Sequence, residues 1–577
     1  MRKRTLDIQH LLQPDNLACE IARKWQAWHS YRNDWIEEKK ELRNYLFATD
    51  TRTTSNRRLP WSNSTVTPKL TQIYDNLKAN YTAALFPSKK WIRWEGDDKD
   101  SSTQEKVKVI QAYIDQKIRQ SNFRTEADRL IDDFILFGNC FATVEYARDY
   151  VEDTEGNLVA QYIGPRLVRI SPYDIVFDPT SSSFEISPKI IRSLVSFGDV
   201  AYMLESGDEK YRAIFDRIMY NRREVASATS YEKSDGFVAD GFGSIELYYG
   251  SNYVELLTFY GDIYDVNEKI LRKNRKITVV DRSYIISDEP IASWLGHAPI
   301  FHAGWRSRPD NLYAMGPLDN LVGMQYRIDH LENLKADVFD QIALPMLKIR
   351  GNVEEFEYQP GGRIYMGEEG DVAPLVPDST ALNADLQIQV LENKMEEMAG
   401  APRQAMGIRT PGEKTAFEVQ TLQNAASRIF EHKAAKLEME FFEPILNAML
   451  EAGRRNMDEF EVIKVLEEDS GLMLFKSITR EDIAARGKIV PVGARHFAER
   501  ARRIQNIVQL QQLKADQTIG VHLSGKEIAR LVAQELGEEQ LFGENIAISE
   551  QLETQMAAQD AEADMMENTA TQAELGL

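Results

Sequence analysis

Cysteine is nearly absent from this 577-residue chain: Cys19 and Cys140 are the only two. They are too few and too scattered for a disulfide framework or a thiolate metal site, so a reducing compartment is the default expectation. Histidine is sparse too. The eight are dispersed and none stands at HExxH spacing, so each reads as a surface or satisfied core residue rather than a metal ligand. No run approaches the about 18 apolar residues that a membrane span needs. Met1-Arg-Lys-Arg4 is basic, but Thr5 to His10 gives no continuous apolar stretch, so no signal peptide is expected. Positive charge is the other shortage. Lys and Arg number 69 against 90 Asp and Glu, a net charge of −21 and a pI near 5.0. Affinity for duplex comes largely from cations displacing counterions, so a tight DNA binder is disfavoured. Such a chain can still surround nucleic acid without gripping it.

What is present is a globular composition, 43% hydrophobic and 28% charged, with length for several domains. Apolar spacing predicts a helix over Leu17–Leu46, with Leu17, Ile21, Trp25, Trp28, Trp35 and Leu42 along one side. Arg52, Arg57 and Arg58 fall in a polar loop from Asp50 to Asn63. A second helix is expected to open with Thr67 as N-cap and Pro68 at its first position; Leu70, Ile73, Tyr74, Leu77, Tyr81 and Leu85 form its stripe. Ser102-Thr-Gln-Glu105 has capping-box spacing ahead of Val107, Ile110, Ile114 and Ile118, and a fourth helix ends at Gly138. The pattern then changes to alternation. Phe141–Tyr146 and Leu158–Tyr162 flank the turn-rich Asp153–Asn157, a hairpin signal. Leu167–Asp178 reads as strand, turn, strand. A helical insert over Asp199–Glu224 and a Ser/Asp/Gly-rich loop over Ser227–Gly243 follow, and strands resume at Ile245–Tyr249, Val254–Tyr260, Lys276–Val280 and Tyr284–Ile286. The fold class expected is α+β.

After Gly316-Pro317 a long helix is predicted over Leu318–Ala343, carrying Leu321, Met324, Ile328, Leu331, Leu334 and Val338, and Pro345 stops it. Met346–Pro377 reads as a small β module with Gly-rich turns. A further helix, about Leu382–Ala399, places Leu386, Val390, Leu391, Met395 and Met398 on one face. Another opens at Thr415-Ala-Phe-Glu418 and repeats Val419, Leu422, Ala426, Phe430, Ala434, Leu437, Phe441 and Ile445. It would be on the order of 60 Å long if it ran to Asn456, and Pro444 should kink it one turn upstream. Between these helices lies Gly400–Lys414, with three Gly, two Pro, and Arg403, Arg409 and Lys414 against Glu413 alone. It is a locally positive, helix-breaking loop in a strongly acidic chain. Beyond Asn456 come a β-like stretch (Phe460–Phe475), helices at Arg495–Lys514 and Leu523–Glu535, and an acidic tail with no Lys or Arg after Arg530.

Gly407–Thr415 nearly matches the phosphate-cradling GxxxxGK[ST]. However, Glu413 is one residue too many, putting a carboxylate where phosphate oxygens need amides, and the loop follows a helix rather than a strand. Asp97–Asp100 lacks the Gly and terminal Glu of a calcium loop, and Ser524–Glu527 opens a helix with no basic face for DNA. No catalytic residue, metal site or cofactor is therefore expected.

The order of parts resembles the portal, or head-to-tail connector, proteins of short-tailed bacteriophages. Leu59-Pro-Trp61, Lys69, Asp75-Asn-Leu77, Leu85-Phe-Pro87 and Trp91 carry the likeness, with Gly316-Pro317 before a long helix holding Gln325. The helix–small β module–helix order and the loop ending in Thr415-Ala-Phe-Glu-Val419 complete it. The resemblance implies a non-enzymatic portal fold. Residues 1–317 would be a wing, 318–345 and 381–399 paired stem helices, and 346–380 a clip. Residues 400–414 would be a tunnel loop, 415–491 a long kinked wing helix with a returning β segment, and 492–577 the crown and acidic tail. It implies a homo-oligomer, a dodecameric ring closed by head-to-tail contacts, at a capsid vertex of the virion, made in the host cytoplasm. Double-stranded DNA would pass through non-specifically, touched by Arg403, Gln404, Arg409 and Lys414. Arg350, Glu354, Glu355, Tyr358, Arg363 and Tyr365 would meet a tail adaptor and, earlier, the terminase; capsid and scaffolding proteins would be further partners, and no membrane is involved. The loop cations could instead be solvated charges paired with Glu413 or a neighbouring subunit. The alternatives for the whole chain are a DNA-packaging or processing ATPase using Gly407–Thr415, or another structural tail component lacking a clip.

Overall fold

The computed structural model describes residues 6–8, 14–47, 63, 67–86, 91–97, 104–152, 157–196, 198–200, 214, 253–265, 269–280, 282–354, 356, 363–375, 383–399, 429–466 and 473–493. Strand β1 (Leu6–Ile8) precedes two helices, α1 (Pro14–Ser30) and α2 (Asn33–Phe47). The single helix expected over Leu17–Leu46 is thus broken at Tyr31-Arg32. Arg32 explains the break, because its buried guanidinium donates to the carbonyls of Pro172, Tyr173 and Ile175. Leu17, Ile21 and Trp25 pack on one core, whereas Leu42, Tyr45 and Leu46 pack on another. A straight helix could not serve both.

Helix α3 (Lys69–Leu85) buries every residue of its predicted stripe. Its N-cap is Pro68 with no side-chain cap, not Thr67; the Thr67 amide donates instead to the Asp329 carboxylate at 2.9 Å. Strand β2 (Ile92–Gly96) leads to α4 (Gln104–Gln120) and α5 (Phe123–Leu136). Gly138 then turns the chain with φ +68°, and a side chain there would meet the Gly316 backbone at about 2.3 Å. Only glycine permits that conformation and that approach.

The predicted hairpin is present as β3 (Asn139–Glu152) against β4 (Leu158–Ile170), paired from Phe141 opposite Ile170 to Glu152 opposite Leu158 with a one-residue shift between Asp149 and Tyr150. Strands β5 (Ile175–Phe177), β6 (Lys189–Ser196), β7 (Tyr253–Asp265), β8 (Ile270–Val280) and β9 (Tyr284–Pro290) form an antiparallel sheet in sequence order, with β1 added parallel on β7. Strand β10 (Ile300–Gly304) pairs with β3, and β11 (Arg306–Arg308) with β12 (Asn311–Met315). The expected segments at Asp199–Glu224, Ser227–Gly243 and Ile245–Tyr249 fall mostly or wholly outside the described residues.

A short 3-10 turn (Asp319–Leu321) starts α6 (Val322–Ala343), which ends before Pro345 as expected. Strands β13 (Met346–Arg350) and β14 (Asp371–Leu375) pair antiparallel; the third strand expected around Arg363–Met366 is only a single bridge, Val353 to Met366. Helix α7 spans Asp385–Ala399. After α8 (429–437) comes a π-helical turn, Glu438–Phe442, and then α9 (Glu443–Asn456). This is the distortion that Pro444 demands. Pro444 has no amide for the Glu440 carbonyl, and the Glu443 amide reaches back five residues to Glu438. Phe441 and Phe442 are both buried there, edge-to-face at 5.5 Å.

Strands β15 (Glu461–Leu466) and β16 (Met473–Ile478) form a hairpin, a short helix α10 (Arg480–Ile483) follows, and β17 (Gly487–Pro491) returns to pair with β2. That last pairing closes 391 residues of sequence, Gly96 opposite Gly487, and no local pattern signals it. The chain is α+β. Its largest core gathers α2 to α5, β2, β3, α8, α9 and β15 to β17, with the first half of α6 and parts of α7. Residues 495–577 form a second unit and lie outside the described residues.

Candidate assembly surface

Helices α6 and α7 are held to the body at one end by buried polar groups rather than by apolar contacts alone. Gln325, fully buried on α6, accepts from the Leu70 amide at 3.2 Å and donates to the Thr67 carbonyl at 2.6 Å and to Asp329 at 2.9 Å. Lys69 of α3 meets Glu396 of α7 in a buried ion pair at 2.6 Å. Two of the residues that carry the sequence resemblance, Lys69 and Gln325, thus converge on one junction. Burial pushes the Asp329 carboxyl up to about 6, against the bonds from Thr67 and Gln325 that pull it down. Two to three turns further along α6, Asn63 donates to Asp337 and Asp340, and Lys335 pairs with Asp385.

At the entry to α6, Gly316-Pro317 is fixed by Asp319. The Asp319 carboxylate accepts the Gly316 amide at 2.8 Å and pairs with the buried Lys39. Burial lowers the Lys39 ammonium's pKa despite that partner.

Away from the junction the character inverts. Leu321 in the turn before α6 and Ile328 and Leu331 on it are buried, but Leu334 and Phe339 are exposed, and so are Leu344, Met346, Ile349 and Leu375 beyond it. Helix α7 repeats this: Ile388, Met395 and Ala399 are buried, while Leu386 is 74% and Val390 51% exposed. The face expected to unite Leu386, Val390, Leu391, Met395 and Met398 is therefore split, because the described chain covers the side of α7 that looks to α3, α6 and the turn before α6. Isolated exposed apolar side chains are ordinary, but a dense set on adjacent elements marks an interaction surface.

The hairpin carries the candidate partner residues. Arg350 pairs in register with Asp371, the Glu354 amide donates to the Tyr365 carbonyl at 3.2 Å, and Arg350, Glu354, Arg363 and Tyr365 are all exposed on this small unit. Glu355 and Tyr358 lie outside the described residues. So do all four loop candidates, Arg403, Gln404, Arg409 and Lys414. Sequence reasoning missed the cations around Trp305: Arg306 is exposed on β11, and Lys433 and Lys436, which are half-buried, lie on α8 more than a hundred residues on in the chain.

Among the described residues no group of acidic, His or Cys side chains could hold a metal, and no helix is long and apolar enough to cross a membrane. Residues 18–161 match the family model described as bacteriophage head to tail connecting protein, so over α1 to α5 and the first hairpin the chain is similar to phage connectors. No curated protein matches the chain.

Proposed function

We propose that the chain is a phage portal protein, a ring of identical subunits at one capsid vertex through which duplex DNA is packaged and ejected, joining head to tail. The likeness of residues 18–161 to head-to-tail connecting proteins supports the class. The observation that carries the ring is the apolar surface of α6, α7 and β13–β14, left uncovered by the chain's own core. In this reading α6 and α7 are the stem helices and β13–β14 the clip. The clip presents Arg350, Glu354, Arg363 and Tyr365, with Glu355 and Tyr358, to a tail adaptor and a terminase. Residues 400–414 are the tunnel loop whose Arg403, Gln404, Arg409 and Lys414 touch the passing backbone, and 492–577 the crown. A net charge of −21 suits a channel that passes DNA without holding it tightly, since each neutralised phosphate adds affinity and an acidic surround offsets the few backbone contacts each subunit makes. Electron micrographs of the purified full chain should show rings viewed down an axis, about twelve subunits round. A stable 66.0 kDa monomer under assembly conditions would contradict the proposal.

A further inference from the structure

In an acidic protein a group of three cations that outnumbers the carboxylates paired with it among the described residues stands out. Trp305 follows β10, is buried, and is locked by donating its indole N–H to the Tyr81 hydroxyl at 3.0 Å. The Arg306 guanidinium lies over its ring at 5.0 Å and the Lys433 ammonium at 4.7 Å. Lys433 also donates to the Trp305 carbonyl at 2.5 Å. Lys436, one turn on along α8, donates to the Ser307 hydroxyl at 2.7 Å and the Gly304 carbonyl at 3.3 Å. Among the described residues Lys436 pairs with Glu440 at 3.6 Å, and Arg306 and Lys433 make no ion pair. Three cations are thus positioned on two elements by neutral acceptors and an aromatic face.

We propose that Arg306, Lys433 and Lys436, set round Trp305, form a fixed site for the phosphate backbone of duplex DNA. Like charges held together mainly by neutral partners, with one carboxylate among three cations, repel one another, and an anion relieves that repulsion. The Lys433 ammonium shows the strain: burial first, then Lys436 and Arg306, lower its pKa. Ring faces and carbonyls pre-order the side chains, which reduces the entropy lost on binding. Backbone contacts of this kind carry no sequence information, as a passage for any DNA requires.

The inference rests on the proposed DNA passage for its choice of ligand, and the test separates the two. Full-length protein is titrated with a labelled duplex across a series of KCl concentrations, alongside Arg306→Gln and Arg306→Gln with Lys436→Gln. Each lost phosphate contact should reduce the slope of log K against log salt by about 0.9, so the double variant should lose about 2. Arg306 is exposed, so the single variant keeps a folded test in hand. No duplex binding by the native protein at low salt, or slopes unchanged in both variants, would overturn the site. Two competitors serve as further arms. Complete displacement of duplex by tripolyphosphate at equal phosphate would assign the site to free polyphosphate. Arg306-dependent capture of a peptide of residues 531–577 in preference to duplex would assign it to the acidic tail. Ring mass is read on the same preparations: rings with unchanged slopes sink the site alone, and monomers sink the portal reading alone.

Discussion

At the scale of single residues, the junction between α3, α6 and α7 sets the energetics of the region. Lys69 and Glu396 are both almost fully buried, and breaking such a pair strands a charge where water cannot reach it. Lys69→Met is expected to cost about 3–5 kcal/mol, and adding Glu396→Met should recover most of it, because two apolar groups leave nothing uncompensated. Urea midpoints of the two variants against the native chain decide this. Asp329 predicts a pH effect. Its folded pKa of about 6 lies above the usual carboxylate value of about 3.9. Its favourable contribution is therefore complete below about pH 4 and lost as pH rises through 6, so ionised Asp329 costs on the order of 2–3 kcal/mol at neutral pH. Asp329→Asn keeps an oxygen for the Thr67 amide and Gln325, and should gain stability on the native chain between pH 4.5 and 7.5. Burial also raises Asp115 and Asp133 to about 6, but they titrate alike in both proteins. An equal stability gap at the two pH values would refute the assignment.

At the scale of elements, what periodicity reports is which residues share a face, and that much was legible. The stripe of α3, the hairpin β3–β4, the stop at Pro345 and the distortion before Pro444 all follow from local rules. What failed was anything decided by a distant partner. Arg32 breaks the first helix because three carbonyls some 140 residues away receive it. Thr67, expected as the N-cap of α3, has its amide and carbonyl taken up by Asp329 and Gln325 of α6, and Pro68 stands at the cap. The β2–β17 pairing joins strands nearly 400 residues apart, and loop closure over that length leaves no trace in composition. The partner surface was half legible for the same reason: α7 has enough apolar residues for two faces, and the sequence shows their number without showing which face the chain itself covers. The cations round Trp305 were invisible because their grouping needs β11 beside α8.

At the scale of the whole molecule, the exposed side of α7 offers the sharpest separation of folding from assembly. Leu386 and Val390 contribute little to the chain's own core, being 74% and 51% exposed, so replacing both by Asp should leave the urea midpoint within about 0.5 kcal/mol of native, as surface changes usually do. In a closed ring the same two substitutions recur at every interface, each burying carboxylates against a neighbour's apolar surface at a cost of several kcal/mol when unpaired. Rotational closure multiplies that cost by the number of interfaces. The double variant should therefore sediment as folded monomer at concentrations where the native chain sediments as rings, and high salt should not rescue it, because the penalty is desolvation rather than long-range repulsion. Rings that form unimpaired would move the subunit interface off α7; a variant that unfolds would show that this face is covered within the chain itself.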